Sequence, residues 1–384
     1  MESVHPNNLS VLRVLRRAVT AVILTTTSLG AQDRPRLPAA ADTNDWEAYY
    51  DQGIEWLNRR LHHSAEAAFY WSSRLNPRRA EPLFARWAVA WSCDAGQFGR
   101  YLNHDADKPL PPEMARIDSL RSRALLRNPL VFQGLIIAAF QELPGRWRED
   151  AWTDAWLAYS ALDFKRALSL FVLAERRNPQ RFGEVRYLRA TTFVALNQLD
   201  SAAAELGVLL DTLRRREQEQ FSDVYASKAF VLYAVGLVEA GRRQFTAARG
   251  ALENALVEDL SFYPAHLVLG HLATERRDAA AALKEYEEAA AGGPDDAVAR
   301  FEYGAALVRA HRPAEAAAEL QAAVALEPYF ADPYYWLGEA RLAQRDSAAA
   351  LQAFQSYAAR APTRSPELVL ARQRLSALAH NKEE

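Results

Sequence analysis

The sequence predicts an all-α chain, a right-handed solenoid of repeated antiparallel helix pairs. Three ladders of residues predict it. Gly236, Gly270, Gly304 and Gly338 stand 34 residues apart. Ala248, Ala282, Ala316 and Ala350 keep the same spacing. So do Pro294, Pro328 and Pro362, with Leu260 where a fourth proline would fall. Ladders in register over four successive units are the mark of a repeat array.

Composition narrows the function classes. The chain has 384 residues, half of them hydrophobic, which is ample for a long buried core. A net charge of −2 argues against a polyanion-binding protein, so no nucleic acid is expected. Lysine is confined to Lys108, Lys165, Lys228, Lys284 and Lys382, and the arginine excess reads as a composition bias. The single Cys93 lies in an apolar stretch beside Trp91, where a buried structural thiol is the simplest reading.

Residues 1–31 read as a secretory signal peptide. Arg13, Arg16 and Arg17 form a basic region, Ala18 to Leu29 a short apolar run, and Ser28-Leu29-Gly30-Ala31 a small-residue cleavage site. The run is too short for a membrane span, which needs about 20 apolar residues. No Cys follows it, which disfavours a lipid anchor. An exported, periplasmic or envelope-associated protein follows, without a membrane span once the signal is removed. An uncleaved N-terminal anchor is the alternative. Residues 32–45 read as a linker.

Residues 46–228 carry the repeat grammar less regularly. Gly53, Ala65, Phe69 and Pro77 have the mutual spacings of Gly338, Ala350, Phe354 and Pro362. Asp163 to Ala167, followed by Phe171, Ala174 and Pro179, reads as another second helix. The stretch 97–112 reads as a long loop, and Asp200 to Gln220 as an elongated helix. The array is regular over 229–362, with Asp278 and Asp346 as N-caps and Pro313 in a first turn. Residues 363–384 read as a capping helix, with Ser365 as N-cap and Leu368, Leu375 and Leu378 facing the array.

These residues resemble the tetratricopeptide repeat family, whose period is about 34 residues. The resemblance rests on Leu269-Gly270 and Leu337-Gly338 in the first helix, with Val235-Gly236 and Tyr303-Gly304 as variants. In the second helix it rests on Tyr286 and Phe354, with Leu252 and Leu320 as variants. Small residues at the Gly and Ala positions let two backbones approach. The large residue four after the Ala is expected to fill the space between neighbouring units.

The resemblance implies a superhelix whose concave face is lined by first helices. The positions facing into it would be Tyr233, Leu267, Phe301 and Tyr335, and, after each Gly, Leu237, His271, Ala305 and Glu339. This stripe would take an apolar or amphipathic protein or peptide segment. The alternatives are that the protein's own helices fill the groove, or that these residues pack between units. The Lys and Asn clamp of the chaperone-tail-binding members is absent.

Eight of the nine tryptophans lie in the first half, from Trp46 to Trp156, and only Trp336 in the second. A glycan- or small-ligand-binding first half is the second functional reading, against simple core packing. No phosphate loop, G-x-S-x-G or H-E-x-x-H motif is present, so neither an enzyme nor a cofactor is expected. His62 and Glu66 share a helix face as a two-ligand metal half-site with no third ligand evident, and His104 with Asp105 and Asp107 is as weak. No metal site is expected.

Overall fold

A computed structural model describes residues 33–92, 108–128, 151–160, 163–179, 182–218 and 227–380. The signal segment, Cys93, His104, Asp105, Asp107 and Trp147 lie outside them. Seventeen helices and no strand occur among the described residues. They are α1 (Trp46–Asn58), α2 (His62–Leu75), α3 (Glu81–Ser92), α4 (Pro112–Arg127), α5 (Ala151–Ser160) and α6 (Phe164–Arg177). Next come α7 (Phe182–Ala195), α8 (Leu199–Gln218), α9 (Lys228–Gly241), α10 (Phe245–Glu258), α11 (Tyr263–Glu275) and α12 (Ala279–Gly292). The array ends with α13 (Ala297–Arg309), α14 (Pro313–Leu326), α15 (Asp332–Ala343), α16 (Ser347–Arg360) and α17 (Glu367–His380). Each helix packs mainly on its neighbours in the chain, which makes an all-α solenoid.

Local chemistry fixes each pair. The Asp278 carboxylate accepts the Ala281 N–H, and Asp346 that of Ala349, so both cap their helices as their positions predict. Ser365 does not cap in this way; its hydroxyl is shared with Tyr357 and Glu367 as α17 starts. First and second helices of a pair are joined by a turn with one left-handed residue: Arg60, Asn197, Arg243, Arg277, His311 or Arg345. The turn is tied by a six-residue bond, such as Gln244 N–H to the Glu239 carbonyl, a Schellman arrangement.

The Gly ladder works within a unit. A Cβ at Gly270 would meet the Tyr286 ring at 2.5 Å, one at Gly338 the Phe354 ring at 2.7 Å, and one at Gly236 Leu252 at 2.7 Å. The large residue of the second helix therefore sits over the Gly of its own unit, and it also shares a core cluster with the next unit, Leu252 with Phe262 and Ala265, Tyr286 with Val298 and Ala299. The facing alanines, Ala248, Ala316 and Ala350, are fully buried. The proline position is a stop with or without proline. α10 ends in the same register as α12 and α14 although Leu260 replaces proline and is 87% exposed.

The tryptophans with described side chains belong to the core. Trp71, Trp87 and Trp152 are buried, and Trp46, Trp56 and Trp336 half-buried. An ionic network of Glu175, Arg186, Arg189 and Glu205 ties α6, α7 and α8 together.

The chain curls until its first helix pair meets its last units. The Asp42 carboxylate accepts the Thr363 N–H (2.7 Å) and hydroxyl (2.9 Å). Arg364 pairs with both Asp45 and Glu47, each at 2.9 Å. Asn44 donates to the Ala359 carbonyl across 315 residues of sequence.

Candidate functional site

The predicted groove positions fall on α9, α11, α13 and α15, and the structure buries most of them. Tyr233 is 4% exposed, Leu267 7% and Phe301 3%. Tyr233 meets Phe262 edge-on at 5.2 Å, and Phe301 meets Phe330 in the same way at 5.2 Å. Each aromatic thus packs on one carried 29 residues later, between units. Tyr335 is half-buried against Phe354 and Tyr357. Leu237 lies beside the cluster around Tyr233. Ala305 is buried. His271 is exposed, with its Nε2 3.6 Å from Glu302, and Glu339 pairs with Arg374 of α17 at 3.0 Å.

The chain's own N-terminal half covers part of this face, chiefly with arginine side chains. Just beyond α2, Arg78 lays its guanidinium over the rings of Phe301 (4.6 Å) and Phe330 (5.1 Å). Its two ends reach Asp332 at 2.5 Å and Glu302 at 3.3 Å. At the end of α2, Arg74 pairs with Glu327 and stacks over Tyr329 at 5.5 Å. Trp71 meets the same Tyr329 edge-on at 4.5 Å. At the end of α4, Arg127 pairs with Asp296 at 2.5 Å, and Leu126 packs against the cluster around Tyr233. Asp296 also accepts the Tyr263 hydroxyl (2.9 Å) and the Val298 N–H (2.8 Å), which caps α13.

The face therefore combines acids with aromatic walls. Glu302 is almost fully buried. Burial works to raise its carboxyl, but the hydrogen bond from His271 and the charge of Arg78 overcome it and hold it below the usual range. Glu327 goes the other way. Burial pushes its carboxyl up to about 7, even with Arg74 against it. Burial also raises the Tyr233 hydroxyl to about 12. At the outer contact, burial of Asp42 is outweighed by the Thr363 and Asn44 N–H bonds, which lower it.

Sequence reasoning placed the aromatics and missed the acids and the arginines. Asp296, Glu302, Glu327 and Asp332 sit off the Gly-anchored positions, and Arg74, Arg78 and Arg127 looked like part of a general arginine excess. The available signal was Arg74 and Arg78 flanking Asn76-Pro77 at the end of α2. Glu66 of the two-residue half-site faces Arg86 and Arg116. Among the described residues no group of three metal-ligating side chains converges, and no helix is long and apolar enough to cross a membrane.

No family model matches the chain, and no curated protein matches it. Solved structures with a similar helical repeat include YrrB, described as a TPR protein with an unusual peptide-binding site. It is 20% identical, with a TM-score of 0.41 over 56% of this chain and 98% of that one. MamA from Desulfovibrio magneticus RS-1, from residue 41 onward, is 18% identical with a TM-score of 0.39, covering 47% and 94%. Another MamA structure is 15% identical with a TM-score of 0.39, covering 47% and 92%. By its own geometry, the chain is an all-α solenoid of tetratricopeptide-like helix pairs.

Proposed function

We propose that this chain is a non-enzymatic protein-interaction scaffold of the cell envelope. Its concave face over residues 229–362 takes a protein segment in exchange for the chain's own N-terminal helices. One observation carries the reading. The N-terminal half meets the face through arginine side chains of unequal depth: the outermost pair, Arg78 with Asp332, has side chains 37% and 40% exposed, against 26% and 15% for Arg74 with Glu327 and 17% and 9% for Arg127 with Asp296. A pair as exposed as the outermost one is worth little and separates readily. Within each unit, by contrast, residues such as Phe354 and Leu320 are completely buried. The signal-like segment 1–31 supports the envelope setting. No observation favours the glycan reading, since the described tryptophan side chains are all buried or half-buried.

The test is crosslinked affinity purification of the full-length chain from the exported fraction. Arg74→Glu with Arg78→Glu should open the cover and raise partner capture. Adding Asp332→Arg should lower it again. Equal capture by all three chains would refute groove binding. Recovery of the chain only from the cytoplasm would refute the envelope setting.

A further inference from the structure

We infer that the groove reads arginine: the partner segment is a helix end of another protein presenting two guanidinium groups about one turn apart. This deepens the scaffold reading and rests on it. The chemistry comes from what the groove already holds. Arg78 lies within 5.1 Å of two ring centroids, Phe301 and Phe330, while Glu302 and Asp332 receive its two ends. Arg74 repeats the arrangement in part, with Tyr70 on its own helix and Tyr329 and Glu327 on the groove side. Its guanidinium stacks near Tyr70 (5.6 Å) and Tyr329 (5.5 Å), its Nη1 donates to the Tyr70 hydroxyl, and its Nε faces Glu327. The Arg78 site uses both properties that separate Arg from Lys, a flat face that stacks on rings and a fork of donors that serves two acceptors at once; at Arg74 the groove supplies the Tyr329 ring and Glu327.

The two sites are unequal in depth, and this supports a displaceable occupant. Glu302 and Glu327 are held deep, with side chains 12% and 15% exposed, whereas Arg78 and Asp332 remain over a third exposed. Removing the cover takes an arginine from each carboxylate, leaving His271 at 3.6 Å beside Glu302. A new guanidinium restores the lost charge-assisted pairing. A purely apolar segment would leave Glu327 and Asp332 without the arginines they now face, and a lysine-bearing one would neutralise them without stacking. Charge complementarity therefore selects an arginine-bearing segment over the apolar peptide that the aromatic stripe alone suggested.

The test uses the full-length chain and labelled peptides spanning residues 62–79 of this sequence. One peptide has the natural sequence, one has Arg74 and Arg78 replaced by Lys, and one has both replaced by Ala. Helix-ordering costs are shared by the set, so their differences report the side chains. Binding is followed by fluorescence anisotropy to the wild-type chain and to the R74E/R78E chain. The opened chain should bind the natural peptide at least about tenfold tighter than wild type does, because the internal competitor is gone. The Lys peptide should bind several-fold more weakly than the natural one, and the Ala peptide more weakly still. Should R74E/R78E lose helicity by circular dichroism, R78A serves as the opened chain with the same ranking expected.

Equal binding of the three peptides, or no binding to an opened chain of native helicity, overturns the inference. Partners captured by the opened chain that the natural peptide does not displace leave the scaffold reading standing and overturn this one. A wild-type dimer at high concentration that R74E/R78E abolishes assigns the occupant to a second copy of this chain and also overturns it.

Discussion

Replacing Gly270 by Ala tests how the units are built, because the structure predicts its sign against helix propensity. In a free helix, Gly→Ala stabilises by about 1 kcal/mol. At position 270 the new methyl would stand 2.5 Å from Cε1 and 2.7 Å from Cδ1 of Tyr286. That ring has no room to retreat. It is 1% exposed, its hydroxyl lies 3.3 Å from Thr274, and His271 meets it edge-on at 5.6 Å. Overpacking a core costs about 1–3 kcal/mol. With contacts this short the upper part of that range applies, so the net effect is a loss of about 1–2 kcal/mol. Gly250, inside α10, is the control, since a Cβ there would meet nothing within 4 Å. Gly250→Ala should gain about 0.5–1 kcal/mol. Urea unfolding followed by circular dichroism, with amide exchange to localise the change, reads both variants. If Gly270→Ala is as stable as wild type, or both variants move in the same direction, the close approach of Gly270 to Tyr286 is wrong.

Three further outcomes follow from the same geometry. Arg277 holds a φ of 61°, a region that costs a side-chain-bearing residue about 1 kcal/mol, so Arg277→Gly should raise the urea midpoint and Arg277→Val lower it. Glu327, with its carboxyl raised from 4.5 to about 7, binds more protons folded than unfolded. Its contribution is therefore full below pH 4.5 and is lost as pH rises through 7, so Glu327→Gln should flatten the stability profile between those values. Glu302, lowered from 4.5, has the opposite sign: its contribution is present above 4.5 and is lost as pH falls through its folded value, and Glu302→Gln should remove that acid loss.

The repeat was legible in the sequence because its contacts are short-range. Gly270 and Tyr286 are 16 residues apart, and the same pairing recurs at every regular unit, so the ladders advertise it. Caps such as Asp278 and Asp346 are legible for the same reason. Proline follows the second helix in three of the regular units, yet α10 ends without one. There the Asp259 backbone is extended and its carboxylate accepts the Ser261 N–H.

The covering of the groove was named only as an alternative. Arg74 and Glu327 are separated by 253 residues, and Arg78 and Asp332 by 254. Whether such residues meet depends on superhelical curvature, the sum of a small rotation at each unit, which no local pattern encodes. Arginines that serve this contact cannot be told in sequence from those that only face solvent. The aromatic stripe was legible, and its burial between units was named only as an alternative, because Phe262 and Phe330 recur at every second unit, with Asp296 at the position between them.

Amide hydrogen exchange on the Arg78→Glu chain tests the closed groove most directly. Residues 326–335 lie about 250 positions away in sequence, yet they supply Glu327, Tyr329, Phe330 and Asp332 to the N-terminal cover. The account predicts faster exchange across 326–335, together with the end of α2, while α10 and α12 stay unchanged. Faster exchange confined to the end of α2, with 326–335 as protected as in wild type, would contradict it.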